Sequence, residues 1–209
     1  MKSMKINYQL KLDEIIREIE REGKRPSLLL QICCAPCGSY VIEYLSKYFD
    51  ITLFYYNPNI YPKEEYDKRL EEIEKLLRVA PFAQNVKLIV GEYDAEEWTD
   101  FIKGTEQERE GGGRCSLCFD YRLDKTAVLA KELHCDWFCT TLTISPHKNA
   151  PLINGIGEQL AEKYGVPFLP SDFKKREGYK RSTVLCEEYG IYRQNYCGCR
   201  YSMWFDESI

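Results

Sequence analysis

Histidine is nearly missing from this chain: its 209 residues hold two, His134 and His147. Two imidazoles are too few for a catalytic metal site built on histidine. Surplus positive charge is missing as well, with 29 Lys and Arg against 33 Asp and Glu and a formal net charge of −4. That balance argues against a protein that coats nucleic acid. A local basic patch remains open, because phosphate contacts depend on where charge sits rather than on the sum. No apolar run approaches the ~20 residues needed to cross a bilayer. Met1–Asn7 leads into no long apolar stretch, so a signal peptide is not expected. A cytoplasmic setting follows, in which thiols stay reduced. There is no G-x-x-x-x-G-K-[ST] loop and no G-x-G-x-x-G, so nucleotide hydrolysis and dinucleotide binding lack support. Internal repeats and dividing linkers are absent too, which predicts one domain over 1–209.

Against these absences stand ten cysteines, more than a reducing compartment can use as disulfides. Seven lie in three tight groups: Cys33, Cys34 and Cys37 in C-C-A-P-C, Cys115 and Cys118 in C-S-L-C, and Cys197 and Cys199 in C-G-C. Such grouping points to metal or redox chemistry. Cys135, Cys139 and Cys186 stand apart and read as structural.

Short apolar runs alternate with helical periodicity. Strands are expected over Ser27–Ile32, Ile51–Tyr56, Val86–Val90 and Trp137–Thr141, with a fifth over Val166–Leu169. Helices are expected over Asn7–Arg21, from Pro36 to Phe49, and over Lys63–Val79, Ala95–Ile102, Cys118–Glu132 and Pro151–Tyr164. Gly111–Gly113 reads as a flexible stretch delivering Cys115. Alternation of this kind predicts an α/β fold with a parallel sheet and right-handed crossovers. The tail 173–209, rich in Cys and Tyr, reads as a segment appended over the active face. Ligands of open parallel sheets bind beyond the carboxyl ends of the strands. The C-C-A-P-C motif, the loop Thr140–Lys148 and Ser171–Phe173 should therefore face one crevice.

Cubane iron–sulfur clusters usually take four thiolates. Cys115 and Cys118 at a helix start can supply two, and Cys33 and Cys34 at a strand end the other two. Adjacent cysteines diverge, which suits a cubane better than a tetrahedral zinc, the competing reading. One residue between Cys197 and Cys199 would strain a disulfide, and strained disulfides are labile and often catalytic. Two unrelated thiols, or ligands of a second metal, are the alternatives there. Cys37 is either a helix-start thiolate of lowered pKa or a small buried residue. Arg122, one turn beyond C-S-L-C, either meets an anionic ligand or pairs on the surface with Asp120 or Glu132. Asp172 is a candidate proton donor or metal ligand, with turn capping as the plain alternative. His147 and Lys148 mark a substrate loop. Lys174, Lys175 and Arg176, with Tyr179 among them, suit a looped RNA through phosphate pairing and base stacking. A solvated charged face is the bland alternative.

Together, C-C-A-P-C, R-C-S-L-C-F-D-Y-R-L (Arg114–Leu123), T-T-L-T-I-S-P-H-K, S-D-F-K-K and Y-R-Q-N-Y-C-G-C-R-Y-S (Tyr192–Ser202) resemble the QueH-type epoxyqueuosine reductases, in order and over nearly the whole chain. The resemblance implies a HUP-like, Rossmann-type domain. It also implies the reduction of epoxyqueuosine to queuosine in the anticodon loop of a tRNA, without cobalamin. It assigns a 4Fe–4S cluster to Cys33, Cys34, Cys115 and Cys118, and a redox-active pair to Cys197 and Cys199. An additional iron beside the cluster and an electron donor of unknown identity complete the expectation. Two rivals are a tRNA sulfur-transfer enzyme of the same fold class and a zinc-stabilised RNA-binding module. The first normally needs an S-G-G-x-D-S type loop where this chain has C-C-A-P-C-G-S.

Overall fold

The computed structural model describes residues 6–202. The leading residues 1–5 and the end of the tail, 203–209, lie outside them, as do the parts of the signal-peptide and tail expectations that fall there. Four strands, β1 (Ser27–Gln31), β2 (Asp50–Tyr55), β3 (Lys87–Val90) and β4 (Trp137–Thr140), form one sheet in the order β3-β2-β1-β4. Every pairing is parallel, with Leu28 opposite Ile51 on one side and Trp137 on the other. This is the α/β, Rossmann-like architecture that the alternation predicts.

Among the described residues seven α-helices accompany the sheet: α1 (Tyr8–Glu22), α2 (Ala35–Leu45), α3 (Lys63–Val79), α4 (Ala95–Phe101), α5 (Gly113–Glu132), α6 (Ala150–Tyr164) and α7 (Gly178–Glu188). Because strand side chains alternate, β1 serves two cores. Leu28 and Leu30 pack with residues of α1, α2 and α3, while Leu29 packs on the other face with Phe138 and the apolar side of α5. Each such fully buried leucine contributes about 1.5–3 kcal/mol.

Local chemistry sets the helix ends. The Asn7 side chain accepts from Leu10 N and caps α1, and Gly23, at φ 62°, closes it. Pro36 sits in the first turn of α2, where its missing N–H costs nothing. The apolar stripe of α3 meets the core: Ile73 and Leu76 are fully buried, and Leu70 and Leu77 pack beside them. In α1, Leu12, Ile16 and Ile19 take the core positions and Leu10 faces solvent.

Three expectations are corrected. Val166–Leu169 forms no strand of the sheet. It is a single parallel bridge, Phe138 to Phe168, with Leu169 N donating to Phe138 O at 2.8 Å. Its apolar residues are buried because Phe168 packs under Gly157 of α6. Next, α5 starts at Gly113 rather than Cys118, so Cys115 belongs to its first turn. Finally, Arg122 does not pair on the surface with Asp120 or Glu132. It is buried, and its Nη2 donates to the Asn57 side-chain carbonyl.

The tail packs back onto the rest of the domain. Helix α7 packs on α2 with Leu185 and Cys186 buried, and Ile60 pairs antiparallel with Cys199. No helix among the described residues is long and apolar enough to cross a membrane.

Candidate functional site

In a sheet ordered β3-β2-β1-β4, the chain reverses its direction of travel between β1 and β4. The crevice at the carboxyl ends of those two strands is the expected ligand site. Gln31, the last residue of β1, fixes it. Its amide donates to Tyr56 O and to the Asn57 side chain, and its carbonyl accepts from Thr140 Oγ1 at 2.8 Å. Three strand ends are thereby tied together.

Cys33 lies two residues beyond the end of β1, Cys34 is the N-cap residue of α2 and Cys37 lies in its first turn. Their sulfurs all lie within 4.8 Å of one another, close enough to hold one metal ion. Cys33 Sγ is 3.7 Å from Cys34 Sγ and 3.7 Å from Thr141 Oγ1 at the end of β4. Hydrogen bonds from Cys34 and then Cys37, with Arg122 and Lys148 nearby, hold the Cys33 thiol well below its ordinary range. The same bond pushes Cys34 up to about 12. Cys37 is raised, not lowered as a helix-start thiolate would be, because it donates to Cys33 and is buried.

Cys115 and Cys118 enter from α5. The Gly111 backbone N–H donates to Cys115 Sγ at 3.2 Å. Burial raises Cys115 and pushes Cys118 up to about 12. Arg114, fully buried, donates to the carbonyls of Thr105, Glu106 and Glu108 and so fixes the loop before the helix.

The tail supplies the remaining pair. Arg69 of α3 is buried, ion-paired to Glu65 at 2.7 Å, and donates to Cys197 O at 3.0 Å and Tyr196 O at 3.3 Å. Tyr61 N donates to Gly198 O at 2.8 Å. Gly198 sits at φ 97°, and a Cβ there would approach the Arg69 guanidinium to 2.9 Å, so glycine is required on both counts. Burial raises the Cys199 thiol. Lys148 Nζ lies 3.9 Å from Cys197 Sγ, and negative charge on that sulfur raises the lysine's pKa.

These groups line two adjoining cavities. The larger, about 330 Å³, has Cys33, Cys34 and Cys37 on one side and residues 193–197 on the other. The smaller, about 190 Å³, is lined by Cys115, Cys118 and Cys199. Asn59, Glu110, Arg122, His147, Lys148 and Cys197 line both. The six cysteines expected to act are therefore gathered around one shared wall.

Cys33, Cys34 and Cys37 could hold a metal, and the thiols around both cavities suit an anionic metal group. All ten cysteines are free thiols. Around the smaller cavity, Arg114 Nε and Nη2, Arg122 Nε and Trp98 Nε1 are buried donors without a partner. Leaving such donors unmatched costs about 1–3 kcal/mol each. An anionic group held by thiolates would satisfy them.

Other expected residues sit elsewhere. Asp172 lines neither cavity and faces Lys174 at 2.8 Å. Ser171 is buried against Asn154 and Thr143. Of the proposed RNA contacts, His147, Lys148 and Tyr179 line the larger cavity. Lys174 and Arg176 are ion-paired to Asp172 and Asp13, and Lys175 is exposed. Sequence reasoning missed Asn57, Asn59 and Arg69. The first two flank Pro58 just beyond the end of β2.

The family model described as epoxyqueuosine reductase QueH matches residues 28–204. Among similar proteins, one from Streptococcus pyogenes serotype M1 is 46% identical over 202 residues, covering 96% of this chain and 79% of that protein. One from Staphylococcus epidermidis is 45% identical, covering 95% and 85% respectively. One from Thermotoga maritima is 41% identical, covering 85% and 90%. Each of the three is named epoxyqueuosine reductase QueH.

Proposed function

The chain belongs to the epoxyqueuosine reductase QueH family, a family of oxidoreductases, and from that membership we propose that it reduces the epoxide of epoxyqueuosine in a tRNA anticodon loop to the alkene of queuosine. The observation that carries the reading is the gathering of six cysteines and four unmatched buried donors on adjoining cavities at the sheet's switch point.

Cys33, Cys34, Cys115 and Cys118 would hold a 4Fe–4S cluster. When bound, such a cluster supplies one-electron transfer. An additional iron would take Cys37, whose sulfur shares one small volume with those of Cys33 and Cys34. No cobalamin enters the reading.

The reaction consumes two electrons and two protons and releases water. Oxidation of Cys197 and Cys199 from dithiol to disulfide supplies both electrons and both protons, so epoxide and dithiol give alkene, disulfide and water. An external reductant of unspecified identity must then restore the dithiol. Arg69 holds the backbone of this pair against the cavity, and Gly198 permits its turn. The Lys148 ammonium faces Cys197 and is placed to stabilise a thiolate there or to protonate the departing oxygen. Asp172 can act as an acid only with its Lys174 partner displaced. His147, Lys148 and Tyr179 at the cavity, with Lys174, Lys175 and Arg176 beyond, are the proposed RNA contacts. A reducing cytoplasm suits ten free thiols.

The test is metal and activity analysis of anaerobically purified protein. About four sulfides per chain are expected, with about four irons from the cluster and one more from the Cys37 site, and conversion of epoxyqueuosine to queuosine in tRNA seen as loss of one oxygen from the nucleoside. Zinc without sulfide, and no conversion, would support the zinc-stabilised RNA-binding module instead.

A further inference from the structure

The larger cavity carries polar groups that the redox chemistry does not use. Most side chains around it are already spent on the protein. Asn57 accepts from Arg122 and Gln31 and donates to Ile32 O at 2.9 Å. Arg69 is used by Glu65, Tyr196 O and Cys197 O. Ser182 donates to Tyr179 O, and Arg193 donates to Cys186 Sγ. Two acceptors are different. Asn59 Oδ1 and Gln194 Oε1 are buried and have no hydrogen-bond partner. Asn59 as a whole is 3% exposed.

The two come from separate walls. Asn59 lies between β2 and α3, held where Ile60 N donates to Asn57 O and Ile60 pairs with Cys199. Gln194 lies on the tail, beside the Tyr196 and Cys197 carbonyls that Arg69 holds. A buried acceptor left unmatched costs about 1–3 kcal/mol, and these two belong to side chains that line one cavity, where a ligand with two donors would match them. Aromatic surface is at hand for its flat faces: Tyr179 and Tyr196 line the same cavity, each with a guanidinium over its ring.

We infer that Asn59 and Gln194 form a subsite that reads the donor edge of a guanine-type base. Guanine places a ring N–H beside an exocyclic amino group, two neighbouring donor groups on its Watson–Crick edge. Adenine, cytosine and uracil each place an acceptor next to their single donor group there. Bases unstacked from RNA loops are read by this edge and by stacking. The inference rests on the reductase reading, whose substrate base is a 7-deazaguanine and keeps that edge. It adds that two amide side chains, remote from the thiol chemistry in role, set the choice of nucleotide.

The experiment uses cluster-loaded, anaerobic protein and synthetic anticodon stem-loops carrying either guanosine or inosine at the target position. Inosine lacks only the exocyclic amino group. Binding is read by fluorescence anisotropy. The wild-type protein should prefer guanosine about tenfold, the effect of one hydrogen bond. Asn59→Ala and Gln194→Ala should each weaken guanosine binding about as much, and one of them should erase the preference. Asn59→Asp and Gln194→Glu keep an acceptor oxygen and should keep the preference. Gln194 stands on the tail rather than in the core, so its variants remain informative if those of Asn59 misfold. Equal binding of guanosine and inosine by the wild type, or unchanged guanosine affinity in Gln194→Ala, overturns the subsite while leaving the reductase reading intact. Failure to bind either stem-loop overturns the reductase reading and the subsite with it.

Discussion

Arg122 Nη2 donates to the Asn57 side-chain carbonyl beneath the wall shared by the two cavities, and Arg122 Nε has no partner. A hydrogen bond from a charged donor is worth about 1.5–3 kcal/mol, but burying a guanidinium costs energy of similar size. The two effects should nearly cancel in the metal-free protein. Arg122→Met, of comparable length and no charge, should therefore shift metal-free stability by less than about 2 kcal/mol. Its iron and sulfide content should fall severalfold, because the cation that offsets the thiolates is gone. Denaturant unfolding and metal analysis read the two effects separately. A variant with wild-type iron and sulfide would show that Arg122 serves the fold alone.

The cysteine groups should separate by function. Cys115→Ala and Cys118→Ala should lose the visible absorption of the cluster and its sulfide. Cys197→Ser and Cys199→Ser should retain most of it and yet fail to turn over, since a dithiol cannot form a disulfide with one sulfur missing. Iron and sulfide assays beside single-turnover activity decide between the roles. Loss of the cluster from both tail variants would make that pair ligands. Normal turnover in either would end the case for a catalytic dithiol.

Much of this architecture is legible in the chain because its signals are local. Lys63–Val79 reads as a helix and is one to the residue, since its period and its bounding prolines and strand are contiguous. The cysteine groups are equally plain. Val166–Leu169 misleads because an apolar run records burial and not pairing: Phe168 is buried under Gly157, yet the chain makes one bridge to β4 and leaves. Arg69 and Asn59 leave no trace at all. Arg69 has a local partner in Glu65, but its contacts to the site, like the tail wall of the Asn59 cavity, come from residues more than a hundred positions away, as in Arg69 to Cys197 O, and no spacing records that. Asp172 reads as a candidate from its place after an apparent strand, and in the structure it faces Lys174 and lines neither cavity.

Folding stability should carry a pH signature at the bottom edge of the sheet. Asp136 Oδ2 accepts from Ser27 Oγ at 2.7 Å and Ser27 N at 2.8 Å, clamping the starts of β4 and β1. The Ser27 side-chain bond, then its backbone bond, lowers the Asp136 pKa from its ordinary value. A lowered folded-state pKa contributes stability that is present above the unfolded value, about 3.9, and is lost as pH falls through the folded value. The site is exposed, so solvent limits the effect to below about 1 kcal/mol. The stability difference between wild type and Asp136→Asn should shrink as pH is lowered from about 5 to about 3. Urea unfolding across that range measures it, and a difference constant with pH would deny the clamp any charge component.

RNA affinity should depend more on the cavity mouth than on the basic run. Lys174 and Arg176 already face Asp172 and Asp13, Lys180 faces Glu177, and Arg181 faces Glu43. A phosphate must compete with those carboxylates, while Lys175 is exposed with no such ion pair recorded among the described residues. His147, Lys148 and Tyr179 instead line the cavity that would receive the modified base. Each single-strand phosphate contact contributes a log–log salt slope of about −0.7. Reversing Lys174, Lys175 and Arg176 to Glu should thus reduce the slope by about one contact, with the cluster spectrum intact. Tyr179→Ala should weaken binding with no change in slope, because stacking releases no counterions. Titrations of an anticodon stem-loop at several salt concentrations report both quantities. A loss of two or more contacts in the triple reversal would return the basic run to the centre of the RNA surface. Unchanged affinity in Tyr179→Ala would remove the cavity mouth from it.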